Sequence, residues 1–223
     1  MKVLGLCVLV FAATVQARSA GVQDVAPVSA TAPSPWVVHL RIAVDNRGGL
    51  LNSCVGSLID RRWVLTAASC VSNGRFFWLR YAAANVINPT LVTETSATRS
   101  NGDLALISIN RNVEYTDTIS GIALAGLDDE LPESGTLCAY GAGEGGVAGE
   151  VQTCSEWTLQ DLGNGRFEGV SEEGQATEFD VGAPLVSNGV QIGVLLRPAA
   201  NGSNAVFVSP ASFKDWIESE IAA

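Results

Sequence analysis

The sequence predicts an all-β fold of barrel or sandwich type, closed by a single C-terminal helix. Three observations carry that reading: short apolar runs rich in Val, Ile, Leu and aromatics, turn-forming clusters between them, and no helix-length apolar period before the C-terminus. The runs are Trp36 to Val44, Cys54 to Ile59, Trp63 to Ala67, Phe76 to Tyr81, Leu104 to Ile109, Val190 to Leu196 and Ala205 to Val208. β-Branched and aromatic side chains fit a pleated, half-buried surface. Clusters such as Asn46-Arg47-Gly48-Gly49 and Asn164-Gly165 supply the backbone freedom of a tight reversal. Phe213, Trp216, Ile217 and Ile221 then recur at helical spacings of three and four, with Ser209 or Ser212 as candidate caps and Pro210 tolerated before or at the first turn. The interval 110–135, rich in Asp, Thr, Gly and Pro, is read as the join between two β-modules.

Composition bounds the function. A chain of 223 residues with 47% hydrophobic and 16% charged residues has enough apolar content for a sizeable core, which argues against disorder. Thirteen basic against 23 acidic residues give a formal charge of -10, which argues against nucleic acid or an anionic membrane as partner. A single histidine leaves a zinc site of ordinary composition short of ligands, so no metal and no cofactor are expected.

The first segment reads as an address. Lys2 supplies a positive start, Val3 to Val15 an apolar stretch too short to span a bilayer comfortably, and Val15-Gln16-Ala17 a small-residue cleavage pattern. A signal peptide over 1–17, a secreted protein and an extended lead-in over 18–35 are therefore expected, with the folded unit over 36–223. Cys7 leaves with the signal, so Cys54, Cys70, Cys138 and Cys154 remain in an oxidising compartment, with three pairings open. Asn201-Gly202-Ser203 is a glycosylation sequon, expected at the surface.

Specific words in the chain go further. Gly56-Ser57-Leu58-Ile59 is followed by Arg62-Trp63-Val64-Leu65-Thr66-Ala67-Ala68-Ser69-Cys70. Asp103-Leu104-Ala105-Leu106-Ile107, Phe179-Asp180-Val181-Gly182-Ala183-Pro184-Leu185-Val186, Val206-Phe207-Val208 and Phe213-Lys214-Asp215-Trp216-Ile217 come later, in that order. This series resembles the trypsin-like (chymotrypsin-fold) serine proteases, whose corresponding phrases read W-V-L-T-A-A-H-C, D-I-A-L-I and G-D-S-G-G-P-L-V. The resemblance implies two six-stranded antiparallel β-barrels with a C-terminal α-helix. It also implies a Cys54–Cys70 disulfide. Cys138 and Cys154 match positions whose family partners are missing, Ser187 standing where one would be, and are left to pair with each other. Gly141-Ala142-Gly143-Glu144-Gly145-Gly146 matches a family strand end, and no helix pattern follows it as a phosphate loop would require.

Carried over residue by residue, the resemblance removes the chemistry. Ser69 stands where the triad imidazole would be, and a hydroxyl cannot serve as general base near neutral pH. Val181 stands where the nucleophile would be, without a lone pair to attack a carbonyl. Asp103 alone matches the triad, and is expected as a buried or semi-buried structural carboxylate, packed or hydrogen-bonded to Ser69 or to backbone. Phe179 replaces an oxyanion-hole glycine, so its side chain is expected in or across the cavity. Asp180 lacks the matured amino terminus it would pair with, because Gln23-Asp24-Val25-Ala26 is no activation site, and so needs another partner. Gln175 falls at the base of the specificity pocket, and Leu196-Arg197-Pro198 replaces the substrate-pairing edge, where proline removes a donor. His39 reads as an ordinary strand histidine.

The resulting expectation is a secreted, non-catalytic homologue, similar to those of insect secretions. It would act by binding a protein partner (a protease, an inhibitor or a recognition target), with a basic one favoured by the charge of -10. The alternatives are an endopeptidase with residual or unorthodox activity and a bulk structural or storage protein.

Overall fold

The computed structural model describes residues 34–44 and 50–223. The signal sequence, the lead-in up to residue 33, the Gln23–Ala26 segment and the Asn46–Gly49 turn lie outside the described residues.

The first module contains β1 (Val37–Val44), β2 (Leu51–Asp60), β3 (Trp63–Ala67), β4 (Gly74–Tyr81), β5 (Leu91–Thr95), β6 (Thr98–Asn101) and β7 (Leu104–Ser108), with one turn of helix, α1 (Ala68–Val71), after β3. Its strand order is β5-β4-β1-β2-β3-β7-β6. The two edge strands are consecutive in the chain, separated only by Ser96 and Ala97, so the sheet rolls round to a covalent corner instead of closing through a ladder. Ser108 donates its N–H to the Ala97 carbonyl at 2.9 Å and holds that corner. Counting β5 and β6 as one bent strand gives the expected six.

The second module contains β8 (Ala123–Leu124), β9 (Ser134–Ala139), β10 (Thr153–Gly163), β11 (Arg166–Val170), β12 (Pro184–Ser187), β13 (Val190–Pro198) and β14 (Asn204–Val208). Here the ladder β12-β9-β10-β11-β14-β13 closes through a β12–β13 pairing, a six-stranded barrel with β8 added in parallel to β13. Asn164 and Gly165 both have positive φ, the conformation of a two-residue hairpin turn whose twist matches its strands, and this turn delivers β11.

Two apolar cores follow from the alternation of inward residues. Leu40, Ile42, Leu58, Leu65, Phe77 and Leu106 fill one; Trp157, Phe167, Leu185, Leu195 and Phe207 fill the other. The C-terminal α2 (Lys214–Ala222) belongs to the first, because Ile217 is buried in it and Phe213, Trp216 and Ile221 pack on it. Neither candidate serine caps this helix. Pro210 opens a separate 3-10 turn over Pro210–Phe213, and Ser209 spends its N–H on the Gly165 carbonyl at 2.7 Å. Cys54–Cys70 and Cys138–Cys154 are both formed, the second between residues directly opposite on β9 and β10.

Candidate functional site

Ser69, Asp103 and Val181 sit on three local structures that the sequence builds for different reasons. Ser69 lies in α1, where the buried Cys70 disulfide anchors the turn and leaves the Ser69 side chain exposed. Asp103 follows Gly102, whose φ of +54° makes the tight reversal from β6 to β7, and its carbonyl accepts the Ala68 N–H at 2.8 Å. Ser69 and Asp103 thereby line one cleft of about 450 Å³, shared with Asn164, Arg166, Leu196 and Arg197.

Asp103 is not bonded to Ser69. Its Oδ2 accepts from Arg166, at 2.9 Å from Nε and also from Nη2. The guanidinium comes from the first residue of β11, so the pair joins the two modules across the cleft. The partner differs from the expected ones: a cation from the second barrel, and neither Ser69 nor backbone, bonds the half-buried carboxylate. Both side chains are partly exposed, at 32% and 51%, so the pair contributes about 1 kcal/mol or less to stability, and its consequence is positional. The acceptor that would orient an imidazole at position 69 is already engaged.

Val181 follows a 3-10 turn over Glu178–Asp180 and is half-buried against the first core. Its carbonyl accepts the Val55 N–H at 2.9 Å and lies 3.4 Å from Cys70 Sγ, which places it beside Ser69's neighbour. Gly182 must be glycine. Its φ is +88°, and a Cβ there would lie 2.1 Å from Thr66 Oγ1 and 2.2 Å from the Val55 carbonyl. Phe179 stands inside the 3-10 turn without a positive φ. N–H groups in such a turn run parallel to its axis, and the Asp180 N–H points back to the Thr177 carbonyl. The Phe179 side chain and Gln175 line a second depression of about 450 Å³ with Ala176, Pro198 and Asn201. Gln175 and Asn201 are exposed on its rim, and Pro198 ends β13 opposite Ala205.

Asp180, 1% exposed, has found partners. Oδ1 accepts the N–H groups of Tyr140 at 3.1 Å and Gly141 at 2.7 Å; Oδ2 accepts the Thr177 N–H and hydroxyl, both at 2.8 Å. Four donors from within the barrel do what the sequence left open, so this carboxylate needs no counter-cation. Among the described residues no group of three or more His, Cys, Asp or Glu side chains gathers as metal ligands would. Sequence reasoning missed Arg166. Its only signal is its place directly after the Asn164-Gly165 turn, which says where it sits along the strand and not which loop of the other module it meets.

With this geometry in view, the relatives can be compared. Residues 26–217 match the sequence profile of the family described as trypsin. Chymotrypsin-2 of Vespa crabro is 29% identical over 194 residues, which span 74% of this chain and 87% of that protein. Azurocidin of Sus scrofa is 28% identical over 193 residues, 74% of this chain and 76% of its own length. Among solved structures, HL collagenase has a TM-score of 0.76 at 23% identity, covering 85% of this chain and 94% of that one. The scabies mite inactivated protease paralogue S-D1 has a TM-score of 0.74 at 20% identity, covering 85% and 93%. At these identities the two structures show the shared fold.

Proposed function

Since this chain belongs to the trypsin family, with its chymotrypsin-like pair of β-barrels, we propose that it uses the scaffold to bind a protein partner without cleaving it. The observation that carries this reading is the Asp103–Arg166 pair in a cleft that Ser69 lines, Ser69 matching the family's base position and Val181, half-buried against the first core, its nucleophile position. Acyl transfer needs a lone pair to attack and a base to take its proton, and here a hydroxyl and an isopropyl group stand instead. The 3-10 turn through Phe179 supports the same reading, because it commits the N–H direction of the oxyanion position to the turn. A scabies mite protein described as an inactivated protease paralogue carries the same fold.

Secretion fits the two disulfides and the leader-like start of the chain. A basic partner fits the charge of -10 and a groove of about 490 Å³ that Asp129, Glu130 and Asp161 line together with Leu127 and Leu131. The test is exposure of the purified protein to a fluorophosphonate probe and a broad peptide library, followed by salt titration of binding to whatever protein it captures from its native fluid. No labelling, no turnover and binding that weakens with salt are expected. Labelling with turnover overturns the non-catalytic reading, and salt-independent binding overturns the basic partner.

A further inference from the structure

A cationic depression on the β1–β4 side of the first module, walled also by residues 148–150 of the second, is not explained by the cleft. His39 and Arg41 of β1 point to the same side as Arg80 and Trp78 of β4, because His39 stands opposite Arg80 and Arg41 opposite Trp78 in an antiparallel ladder. Together with Leu51, Ile87 and Glu150 they line a depression of about 460 Å³. Arg41 donates to Ser53 Oγ at 3.1 Å and Arg80 to the Val86 carbonyl at 3.3 Å, and no carboxylate of the described residues pairs with either. In a chain of net charge -10 this leaves two adjacent guanidinium groups without an ion pair, Glu150 being the one carboxylate in the lining.

The floor of the depression adds a second, independent observation. His39 is 3% exposed, and its Nδ1 is buried without a hydrogen-bond partner. That nitrogen has no accessible surface, so the ring underlies the two guanidinium groups and senses charge placed above it without donating to the surface. The wall is apolar and extends further. Trp78 and Arg80 also line an adjoining depression of about 420 Å³, completed by Val86, Ile87, Pro89 and Val92. Ile87 is 63% exposed there.

We propose that this face binds an organic oxyanion, with the carboxylate, sulfate or phosphate head held by Arg41 and Arg80 above the buried His39 ring and the apolar body laid over Trp78, Ile87, Pro89 and Val92. Guanidinium forks match planar and tetrahedral oxyanions in geometry as well as charge. Burial, Arg80 and Arg41 hold the His39 imidazole down to about 3 in the unliganded protein, and burial together with Arg41 pulls Arg80 below its ordinary range. The charged groups facing the site are Arg41 and Arg80 on its floor and Glu150 at its rim, and the Tyr140 ring meets His39 edge-on at 5.0 Å. A bound anion offsets the two arginines and raises the His39 pKa.

His39 is the sole histidine of the chain, so its ring resonances report on this site alone. The experiment titrates the full chain with inorganic phosphate, sulfate and phenyl phosphate at constant ionic strength while following the His39 ring nitrogens by NMR. A saturable shift is expected, tightest for phenyl phosphate by at least about tenfold, with the His39 titration midpoint moved upward on saturation by sulfate. Arg80→Gln is expected to lose at least about tenfold in affinity, and Arg80→Lys to recover part of it. Absence of a saturable shift, a shift reproduced by chloride alone, or equal affinity in Arg80→Gln would overturn the site. Equal affinity for phosphate and phenyl phosphate would overturn its apolar half.

Discussion

Lowering the pH from 7 to 5 should destabilise this protein through one residue. The His39 imidazole is 3% exposed and faces Arg80 and Arg41, so protonating it in the folded state means burying a cation beside two others. Its folded pKa is about 3 against 6.5 for the free side chain. The unfolded chain therefore takes up a proton near pH 6.5 that the folded chain refuses until about 3. Stability from this group is complete above 6.5 and is lost as pH falls through the interval between the two values. Each pH unit within it corresponds to about 1.4 kcal/mol, so the drop from 6.5 to 5 removes about 2 kcal/mol, before most carboxylates begin to titrate. Urea unfolding at pH 7 and pH 5 in chloride, free of oxyanion buffers, measures the slope, and His39→Gln supplies the reference with no titrating ring. Wild type should lose about 2 kcal/mol more than the variant over this range. Equal losses would show that the imidazole is hydrated or paired in solution, and the account of its burial would be wrong.

Three further outcomes follow from the cleft. Asp180→Ala removes the acceptor for four donors, and it should cost about 3–5 kcal/mol in denaturant unfolding; a loss under about 1 kcal/mol would mean that those donors find water without strain. Gly182→Ala forces a Cβ into Thr66 and the Val55 carbonyl at a φ of +88°, and should reduce the yield of folded protein severely; a variant that melts within a degree or two of wild type would refute the close approach. The double revertant Ser69→His with Val181→Ser should show no burst and no probe labelling, because Arg166 occupies the Asp103 carboxylate and Phe179 remains in its turn. Robust turnover by that variant would show that the imidazole displaces Arg166 and that the oxyanion position is intact.

What was legible in the sequence is what local chemistry decides. Alternating apolar runs marked the central strands because the pleat has a period of two, and Asn164-Gly165 marked its hairpin because both residues tolerate positive φ. The polar edge strands were harder. Thr98-Arg99-Ser100-Asn101 forms β6 although little in its composition favours a strand, since pairing with the apolar β7 imposes the conformation. The helix cap was misread for a related reason: Pro210 permitted a 3-10 turn that a tertiary bond from Ser209 to Gly165 holds in place. At the site, the identities of Ser69, Asp103 and Val181 could be read directly, whereas the partners of Asp103 and Asp180 could not. Arg166 is 63 residues from Asp103, and Tyr140 is 40 from Asp180, so only the closed topology brings them together.

Those distant partners also fasten the segments that carry Ser69, Asp103 and Val181. The segment around Val181 is fastened by backbone: Val181 to Val55, Gly182 to Leu195, and Leu195 back to Ala183. Asp180 is fastened by donors of its own barrel, and Gly182 by a close approach in which Thr66 caps the Val55 carbonyl at 2.7 Å. None of these contacts uses the side chain at position 69 or 181. The charge of the Asp103 carboxylate is answered by Arg166 from the facing barrel. Removing Arg166 should therefore loosen the cleft locally and change global stability little, in keeping with an exposed ion pair. Hydrogen exchange would detect this as faster exchange at Ala68, whose N–H is bonded to the Asp103 carbonyl, while the amides of β2 and β3 keep their protection.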